Sequence, residues 1–300
     1  MSTVKKYLSL VKFSHTIFAM PFALIGFVLG LSVYNQSTQE IPGNNTSIGW
    51  KFLLVILCMV LARSAAMAFN RYLDRHFDAL NPRTAIREIP AGVLKADSVL
   101  WFTISCSVLF IVCTYFINRI CFFLSPVALL VVLGYSYTKR FTALCHLVLG
   151  VGLSLAPIGA YLAVVGQFDW LPILFSITVI SWVSGFDIIY ALQDVDFDQS
   201  QKLYSIPASL GKAKALRVSE LLHLVSASMV VVAGIYGGFH WLYWIGVVVF
   251  VGMLIYQHSI VKPNDLRKVN LAFMTANGIA SVIFSIFVIA AIFLQYPLKF

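Results

Sequence analysis

The sequence is poor in charge, and poorest in acidic residues. Only 11% of its 300 residues are charged and only twelve are Asp or Glu, whereas 60% are hydrophobic. No single core can hide so much apolar surface, which excludes an ordinary water-soluble domain. We therefore expect the lipid bilayer to be the solvent of this chain.

Cysteines spaced as CxxC are also missing. The chain has five cysteines, all in or beside apolar segments: Cys58, Cys106, Cys113, Cys121 and Cys145. This pattern indicates neither a disulfide framework nor a zinc site. We expect buried thiols.

Long apolar runs between short polar connectors fill the sequence. A spanning helix needs roughly 20 mostly apolar residues. Nine candidate helices meet this condition, near residues 14–33, 52–70, 98–118, 121–136, 143–166, 170–193, 218–237, 240–258 and 269–294. The predicted fold class is all-α: a polytopic membrane protein of about nine transmembrane helices, in one membrane-embedded domain over residues 1–300.

Lysine and arginine are distributed unequally between the two ends of these helices. The end opposite the N-terminus receives only Lys51, Arg119 and Lys299. By the positive-inside rule the N-terminus is cytoplasmic, together with the loops 71–97, 195–217 and 259–268. The same bias accounts for the formal charge of +9, which in a soluble protein would suggest nucleic acid. We expect a multi-pass protein of the cell inner membrane and no nucleic-acid partner.

Two acidic motifs end the second and sixth predicted helices. Each has residues in steps of four: Asn70, Asp74 and Asp78 in the first, and Tyr190, Asp194 and Asp198 in the second. Residues four apart share a helical face, where carboxylates repel one another unless a cation lies between them. A lone aspartate near a helix end is usually a solvated surface group. Two matched arrays at one membrane face instead predict a Mg²⁺ site that shares its oxygens with a diphosphate.

Basic residues near these motifs would donate hydrogen bonds to the oxygens of such a diphosphate. The candidates are Arg71, Arg83, Arg87, Lys139 and Arg140. Insertion topology alone would also explain the group. Arg83 and Arg87 favour a ligand, because the prolines on both sides make this loop more rigid than topology requires.

Arg63 and Asp187 both lie inside predicted spans, where a charge is costly and is a functional candidate by default. Arg63 precedes Asn70 by seven residues, and Asp187 precedes Asp194 by seven. Two interpretations remain open: a structural salt bridge between Arg63 and Asp187, or a site for a polar acceptor below the metal.

Together these motifs resemble the UbiA superfamily of intramembrane prenyltransferases. The resemblance covers nearly the whole chain and runs through Arg63, Asn70-x-x-x-Asp74-x-x-x-Asp78, Arg83-Thr-Ala-x-Arg87-x-x-Pro-x-Gly92, Tyr135-Ser-Tyr-Thr-Lys139-Arg140 and Asp187-x-x-Tyr190-x-x-x-Asp194-x-x-x-Asp198. It implies an all-helical fold around a central cavity, capped on the cytoplasmic side by the two aspartate motifs. The implied reaction transfers a polyprenyl group from a polyprenyl diphosphate to an acceptor.

The resemblance also implies roles for the single residues. The expected metal ligands are Asn70, Asp74, Asp78, Asp194 and Asp198. The residues expected to bind the diphosphate are Asn70, Arg71, Arg83, Arg87, Lys139, Arg140 and Tyr190. Arg63 and Asp187 are expected to bind the acceptor, and Asp187 is also expected to be catalytic together with the four aspartates of the motifs. Tyr135 or Tyr137 would shield an allylic cation with its ring face.

The segments 12–21 and 205–211 are most similar to bacterial 4-hydroxybenzoate polyprenyltransferases, including relatives that serve menaquinone synthesis. The chain differs from the ubiquinone branch in two places. His15 stands where that branch has an Arg, and Tyr204-Ser205-Ile206 stands where that branch has Lys-Ser-Thr. The implied acceptor is aromatic, such as 4-hydroxybenzoate, with a menaquinone-pathway or other acceptor as the alternative. A secondary transporter is the leading non-enzyme alternative, but its broken midplane helices are not evident.

Overall fold

The computed structural model describes residues 3–11, 18–36 and 47–296, which are helical and contain no β-strand. In chain order the helices are α1 (Thr3–Leu10), α2 (Met20–Gln36), α3 (Ile48–Leu73), α4 (Arg75–Leu80), α5 (Ala96–Ile117), α6 (Arg119–Thr138), α7 (Cys145–Val165), α8 (Trp170–Ala191), α9 (Val195–Ser200), α10 (Ile206–Leu210), α11 (Lys212–Tyr236), α12 (Trp241–Ile260) and α13 (Asn277–Gln295). A 3₁₀ turn at Leu192–Asp194 joins α8 to α9, and a π-helical segment at Leu271–Ala276 leads into α13. The all-α prediction is confirmed.

Eight helical stretches of the described residues are long and apolar enough to cross a membrane, and α2 is a shorter apolar helix beside them. Eight of the nine expected spans are thus confirmed. The first, expected near 14–33, corresponds to the shorter α2, and its residues 14–17 lie outside the described residues. Helix α11 begins at Lys212, six residues before the expected start at 218. Hydropathy misses this turn because it is basic, while its backbone is helical.

Helix α8 lies at the centre of the bundle. Its side chains Phe175, Val179, Trp182 and Val183 are fully buried among α2, α7 and α11. Gly150 on α7 lets that helix approach α8 closely, because a side chain there would overlap the carbonyl of Ile180. Large apolar side chains of the outer helices are exposed instead, Leu130 and Val248 among them. In a membrane they face lipid.

A buried polar network ties α8 to the last two helices. The amide oxygen of Asn277 accepts hydrogen bonds from Trp182 Nε1 and Gln257 Nε2, both at 2.8 Å. The amide nitrogen donates to the carbonyls of Ala272 and Phe273 at 3.2 and 3.0 Å. Both carbonyls belong to the π-helical segment Leu271–Ala276. Asn277 thereby fixes the segment that carries Phe273.

Candidate active site

Two cavities lie inside the helical bundle and meet. A polar cavity of about 280 Å³ is lined by residues of both acidic motifs. An apolar cavity of about 360 Å³ runs between α3, α5, α6 and α7. Both are lined by the same five residues at their junction: Arg63, Met67, Tyr135, Leu149 and Leu153. A charged end and a long apolar tail can therefore occupy one continuous space.

The first motif spans a break between two helices. Helix α3 ends at Leu73, and Asp74 has φ −89° and ψ 5°, after which α4 carries Asp78. The expectation that all three residues share one continuous helical face is therefore wrong. An aspartate competes for backbone hydrogen bonds and favours such helix ends. Asn70 Nδ2 still donates to Asp74 Oδ2 at 2.9 Å, and all three side chains line the polar cavity.

The second motif has the same kind of break. Helix α8 ends at Ala191, and Asp194 has φ −104° and ψ 3° at the end of the 3₁₀ turn. Tyr190 and Asp194 line the polar cavity, whereas Asp198 does not. Asp198 is fully buried behind the cavity wall, where it accepts a hydrogen bond of 3.0 Å from Ser205 Oγ.

Each of the four motif aspartates faces one basic side chain. The pairs are Arg140–Asp74 at 3.3 Å, Arg87–Asp78 at 2.5 Å, Arg83–Asp194 at 2.5 Å and Lys139–Asp198 at 2.7 Å. The contact of Arg83 is bidentate, since its Nε also donates to Asp194 Oδ1 at 3.0 Å. Four of the five predicted basic residues thus contact the motifs directly, and Arg71 lines the same cavity.

The surroundings shift the pKa of two groups at the cavity mouth. Burial raises the pKa of Asp74 above its ordinary value, and the charge of Asp78 raises it further, although Arg140 opposes both. Burial by itself would lower the pKa of Lys139, but the carboxylate of Asp198 outweighs this effect and the pKa is raised. Lys139 therefore keeps its charge at neutral pH and remains a cation for an anionic ligand.

Tyr190 anchors an aromatic wall of the polar cavity. Its ring packs on Phe273 with 4.3 Å between centroids, and the guanidinium carbon of Arg83 lies 5.2 Å from the Tyr190 centroid. Arg83 Nη1 also donates to the Tyr190 hydroxyl at 2.8 Å. The π-helical segment thus positions a ring at the site.

Arg63 and Asp187 both line the polar cavity but do not pair with each other. Asp187 Oδ2 lies 2.6 Å from Nδ1 of His146, a buried residue at the start of α7. Arg63 Nε is buried without a hydrogen-bond partner in the described structure. The salt-bridge interpretation is therefore wrong, and the interpretation as a polar acceptor site remains.

The carboxylates fit a magnesium ion that is shared with a substrate. Among the described residues no three His, Cys, Asp or Glu side chains form a metal cluster by themselves. Mg²⁺ does not require one, because it binds through one or two carboxylates and completes its shell with water and phosphate oxygens. Asp78 Oδ2 is buried and lacks a hydrogen-bond partner in this part of the chain. Such an oxygen suits a hard cation.

Sequence reasoning missed several residues of this site. Asn81 Nδ2 lies 3.4 Å from Asp194 Oδ1, and His146 and Phe273 line the same cavity. Phe273 lies in an apolar run, where nothing in the sequence distinguishes it from a buried core residue. His146 did have a signal, because an ionisable residue inside a predicted span is a functional candidate by default. Asn81 had one signal, its place between the first motif and Pro82. His15 lies outside the described residues, and the exposed Tyr204 donates its backbone N–H to Lys139 at 2.7 Å.

Known proteins resemble this chain in sequence and in fold. The 4-hydroxybenzoate octaprenyltransferase of Francisella tularensis subsp. tularensis (strain WY96-3418) is 29% identical over 241 residues, 80% of this chain and 81% of that protein. The enzyme with the same name from Tolumonas auensis is 30% identical over 223 residues, 74% of this chain and 78% of that protein.

Solved structures show the same fold. A UbiA homolog from Aeropyrum pernix K1 superposes with a TM-score of 0.76 at 27% identity, covering 94% of this chain and 98% of that chain. A UbiA homolog from Archaeoglobus fulgidus, bound to DMAPP and Mg²⁺, gives 0.73 at 18% identity, covering 96% of this chain and 99% of that chain. The profile of the UbiA prenyltransferase family matches residues 19–279. The chain therefore belongs to the UbiA prenyltransferase family and is a membrane-bound prenyltransferase.

Proposed function

We propose that the chain transfers a polyprenyl group from a polyprenyl diphosphate to a hydroxylated aromatic acid such as 4-hydroxybenzoate, with Mg²⁺ as the cofactor. The observation that carries this proposal is the junction of the two cavities at Arg63 and Tyr135. A diphosphate fits the polar cavity, its prenyl chain fits the apolar one, and the bond to be broken then lies at the junction.

The charged residues would exchange partners when the donor binds. Asn70, Asp74, Asp78 and Asp194 line the polar cavity and would hold Mg²⁺, with Asp198 behind Lys139. Bound Mg²⁺ supplies charge neutralisation that makes diphosphate a better leaving group. The four basic side chains that now pair with the aspartates would turn to the diphosphate oxygens, with Arg71 beside them.

The residues at the junction would protect the allylic cation that forms when the carbon–oxygen bond breaks. Tyr135 lines both cavities and can present its ring to this cation. The aliphatic neighbours Met67, Leu149 and Leu153 exclude water, which would otherwise capture the cation as an alcohol. An electron-rich ring then attacks the cation and loses a proton.

The proposed acceptor is supported by the curated relatives, which are named for 4-hydroxybenzoate, and by the guanidinium of Arg63 in the cavity. An acid that serves menaquinone synthesis would present the same carboxylate and hydroxyl groups. An acceptor screen with purified enzyme distinguishes these acids directly. We expect the fastest turnover with rings that carry both groups.

A second proposal concerns the orientation of the protein in the membrane. The loops that carry the two motifs lie at one end of the bundle, and most Lys and Arg residues lie at that end too. By the positive-inside rule this end faces the cytoplasm, in the cell inner membrane. Labelling of an introduced cysteine in loop 81–95 from either side of oriented vesicles tests this placement.

The central test is product formation by purified protein in detergent or proteoliposomes. Wild type should convert a polyprenyl diphosphate and 4-hydroxybenzoate into prenylated acid, and EDTA should stop the reaction. Asp74→Asn and Asp194→Asn should each lower kcat by about 100-fold or more while the protein stays folded. Asp265→Asn is the matched control, because Asp265 pairs with Arg267 on the surface. Full turnover in EDTA would contradict the metal role.

A further inference from the structure

A buried histidine supports the one carboxylate of the polar cavity that lies outside the two motifs. His146 is 3% exposed, and its Nδ1 lies 2.6 Å from Oδ2 of Asp187, which is 23% exposed. His146 belongs to the first turn of α7 and Asp187 to α8, so the contact joins two helices. The carboxylate faces the cavity, and the imidazole lies behind it.

A backbone N–H faces the far nitrogen of His146. The N–H of Ile206, at the start of α10, lies 3.4 Å from Nε2 of His146. In the neutral ring Nε2 accepts from this N–H and Nδ1 carries the proton, and in the charged ring both nitrogens carry one, so Nδ1 is a donor in either state. The imidazole therefore donates to Asp187 and holds its carboxylate plane in one orientation.

One oxygen of Asp187 remains available. Oδ2 is tied to His146, whereas Oδ1 has no hydrogen bond within the described residues. Arg63 lines the same cavity, so a cation and a fixed hydrogen-bond acceptor share this space. A ligand that satisfies both must carry an anionic group for Arg63 and a hydroxyl donor for Asp187.

We propose that His146 is a positioning residue, which holds Asp187 Oδ1 as the hydrogen-bond acceptor for the ring hydroxyl of the aromatic acid. The pair thereby selects hydroxylated rings over rings that carry an ether in the same place. This inference rests on the proposed function and extends it to the specificity of the acceptor. A hydroxyl that donates to a carboxylate also makes the ring more electron-rich, which favours attack on the prenyl cation.

The experiment compares 4-hydroxybenzoate with 4-methoxybenzoate, which lacks the donor proton. Binding of each acid and the KM of each are measured for wild type, His146→Asn, His146→Gln and His146→Leu. The amide nitrogen of Asn can occupy the place of Nδ1, whereas that of Gln occupies the place of Nε2. We expect wild type to prefer the hydroxy acid by about tenfold or more. The preference should disappear in the Gln and Leu variants and return in the Asn variant.

Two further readouts separate positioning from a general loss of structure. The KM for the prenyl diphosphate should change less than twofold in all three variants. The matched control is His223→Leu, since His223 is also buried but contacts His258 and lies outside the polar cavity. This variant should lower thermal stability and leave the preference between the two acids unchanged.

Each part of this proposal has a result that would contradict it. If wild type is active but Gln and Leu variants keep the full preference for the hydroxy acid, His146 does not position the acceptor contact. If His223→Leu removes the preference as well, the effect is structural and the inference fails. If the wild-type protein neither binds nor prenylates either acid, the proposed acceptor class is wrong, and this inference is wrong as well. Should His146→Leu not fold, the Asn and Gln pair still decides the question.

Discussion

At the scale of single residues, the site is a set of exchangeable ion pairs. Asp194 shows this most clearly, because it receives two nitrogens of Arg83 while Arg83 also donates to Tyr190. Both partners line a cavity large enough for a diphosphate. A bidentate guanidinium recognises phosphate oxygens with the same geometry as carboxylate oxygens. Arg83 can therefore hold the site together before the donor binds and hold the donor afterwards.

Replacement of Arg83 by Lys tests this dual use. Lysine keeps the charge but loses the bidentate contact and the bond to Tyr190. We expect kcat/KM for the prenyl diphosphate to fall by about tenfold or more, which corresponds to about 1.4 kcal/mol. Arg267→Lys is the matched control, because Arg267 makes a bidentate contact with Asp265 at 2.9 and 2.6 Å on the surface. Equal effects of the two substitutions would argue against a specific role of Arg83.

Asp198 gives a second test at this scale. Its carboxylate is fully buried and pairs with Lys139, which is 35% exposed. Asp198→Asn leaves that ammonium without a counter-charge, and we expect the free energy of unfolding to fall by about 1–2 kcal/mol. Water at Lys139 keeps this cost below the value for a fully buried pair. Thermal unfolding in detergent measures the loss.

The variant Asp198→Asn also tests whether Asp198 binds the metal directly. Because Asp194 lines the cavity and Asp198 does not, Asp198→Asn should weaken the apparent Mg²⁺ affinity less than Asp194→Asn does. Activity titrated against Mg²⁺ gives both values. An equal or larger effect at Asp198 would make it a direct ligand.

At the scale of elements, the important features are places where helices depart from regular geometry. Both acidic motifs contain a helix break, at Asp74 in the first and over the 3₁₀ turn that ends at Asp194 in the second. The third departure is the π-helical segment before α13, which carries the aromatic neighbour of Tyr190. Single irregular turns of this kind are frequent at functional sites. Here each of them presents a side chain to the polar cavity.

Asn277→Ala tests whether the π-helical segment depends on its polar network. The substitution leaves the donors of Trp182 and Gln257 without an acceptor in a buried place. We expect the free energy of unfolding to fall by about 2–4 kcal/mol. Thermal unfolding in detergent is compared with Ser285→Ala, whose hydroxyl bonds only within its own helix, to Val282. A similar small loss in both variants would show that the network contributes little.

The sequence predicted which stretches are helical better than it predicted where each helix begins and ends. Apolar runs give the spanning helices because the bilayer requires about 20 apolar residues, and this physical limit leaves few alternatives. The spacing of four correctly grouped Asp74 with Asn70, but it could not show the helix break, which depends on side chains of the folded site. The pairing of His146 with Asp187 could not be predicted, because the two residues are 41 positions apart along the chain. Ionisable residues in apolar surroundings were the reliable signal, since their burial is costly without a purpose.

At the scale of the whole molecule, the two cavities define what the protein can hold. The apolar cavity continues along α7 from Leu153 past Gly159. These residues are six apart, which is about 9 Å along a helix. The space at Gly159 therefore concerns the distal part of a prenyl chain and leaves the reacting carbon untouched.

Gly159→Leu should shorten the donors that the enzyme accepts. A Cβ atom at Gly159 would meet no atom within 4 Å, and Gly159 lines the apolar cavity, so we expect a leucine there to extend into the cavity. We expect turnover of a long polyprenyl diphosphate to fall by about tenfold, while turnover of a short one changes little. Gly252→Leu on α12 is the matched control, because its surroundings are equally open but it does not line the cavity. An equal loss of turnover with long and short donors would contradict the assignment of this part of the cavity to the distal prenyl chain.

The four ion pairs of the motifs also have an energetic consequence. Four carboxylates face four cations, so these eight groups carry no net formal charge. Free Mg²⁺ or free diphosphate would each upset this balance within a largely apolar protein, at a cost in electrostatic free energy. The two together nearly cancel. Each should therefore raise the affinity for the other, and by the same factor, because thermodynamic coupling is reciprocal. In this sense the protein behaves as a receptor for a cation and an anion that bind together as a salt of small net charge.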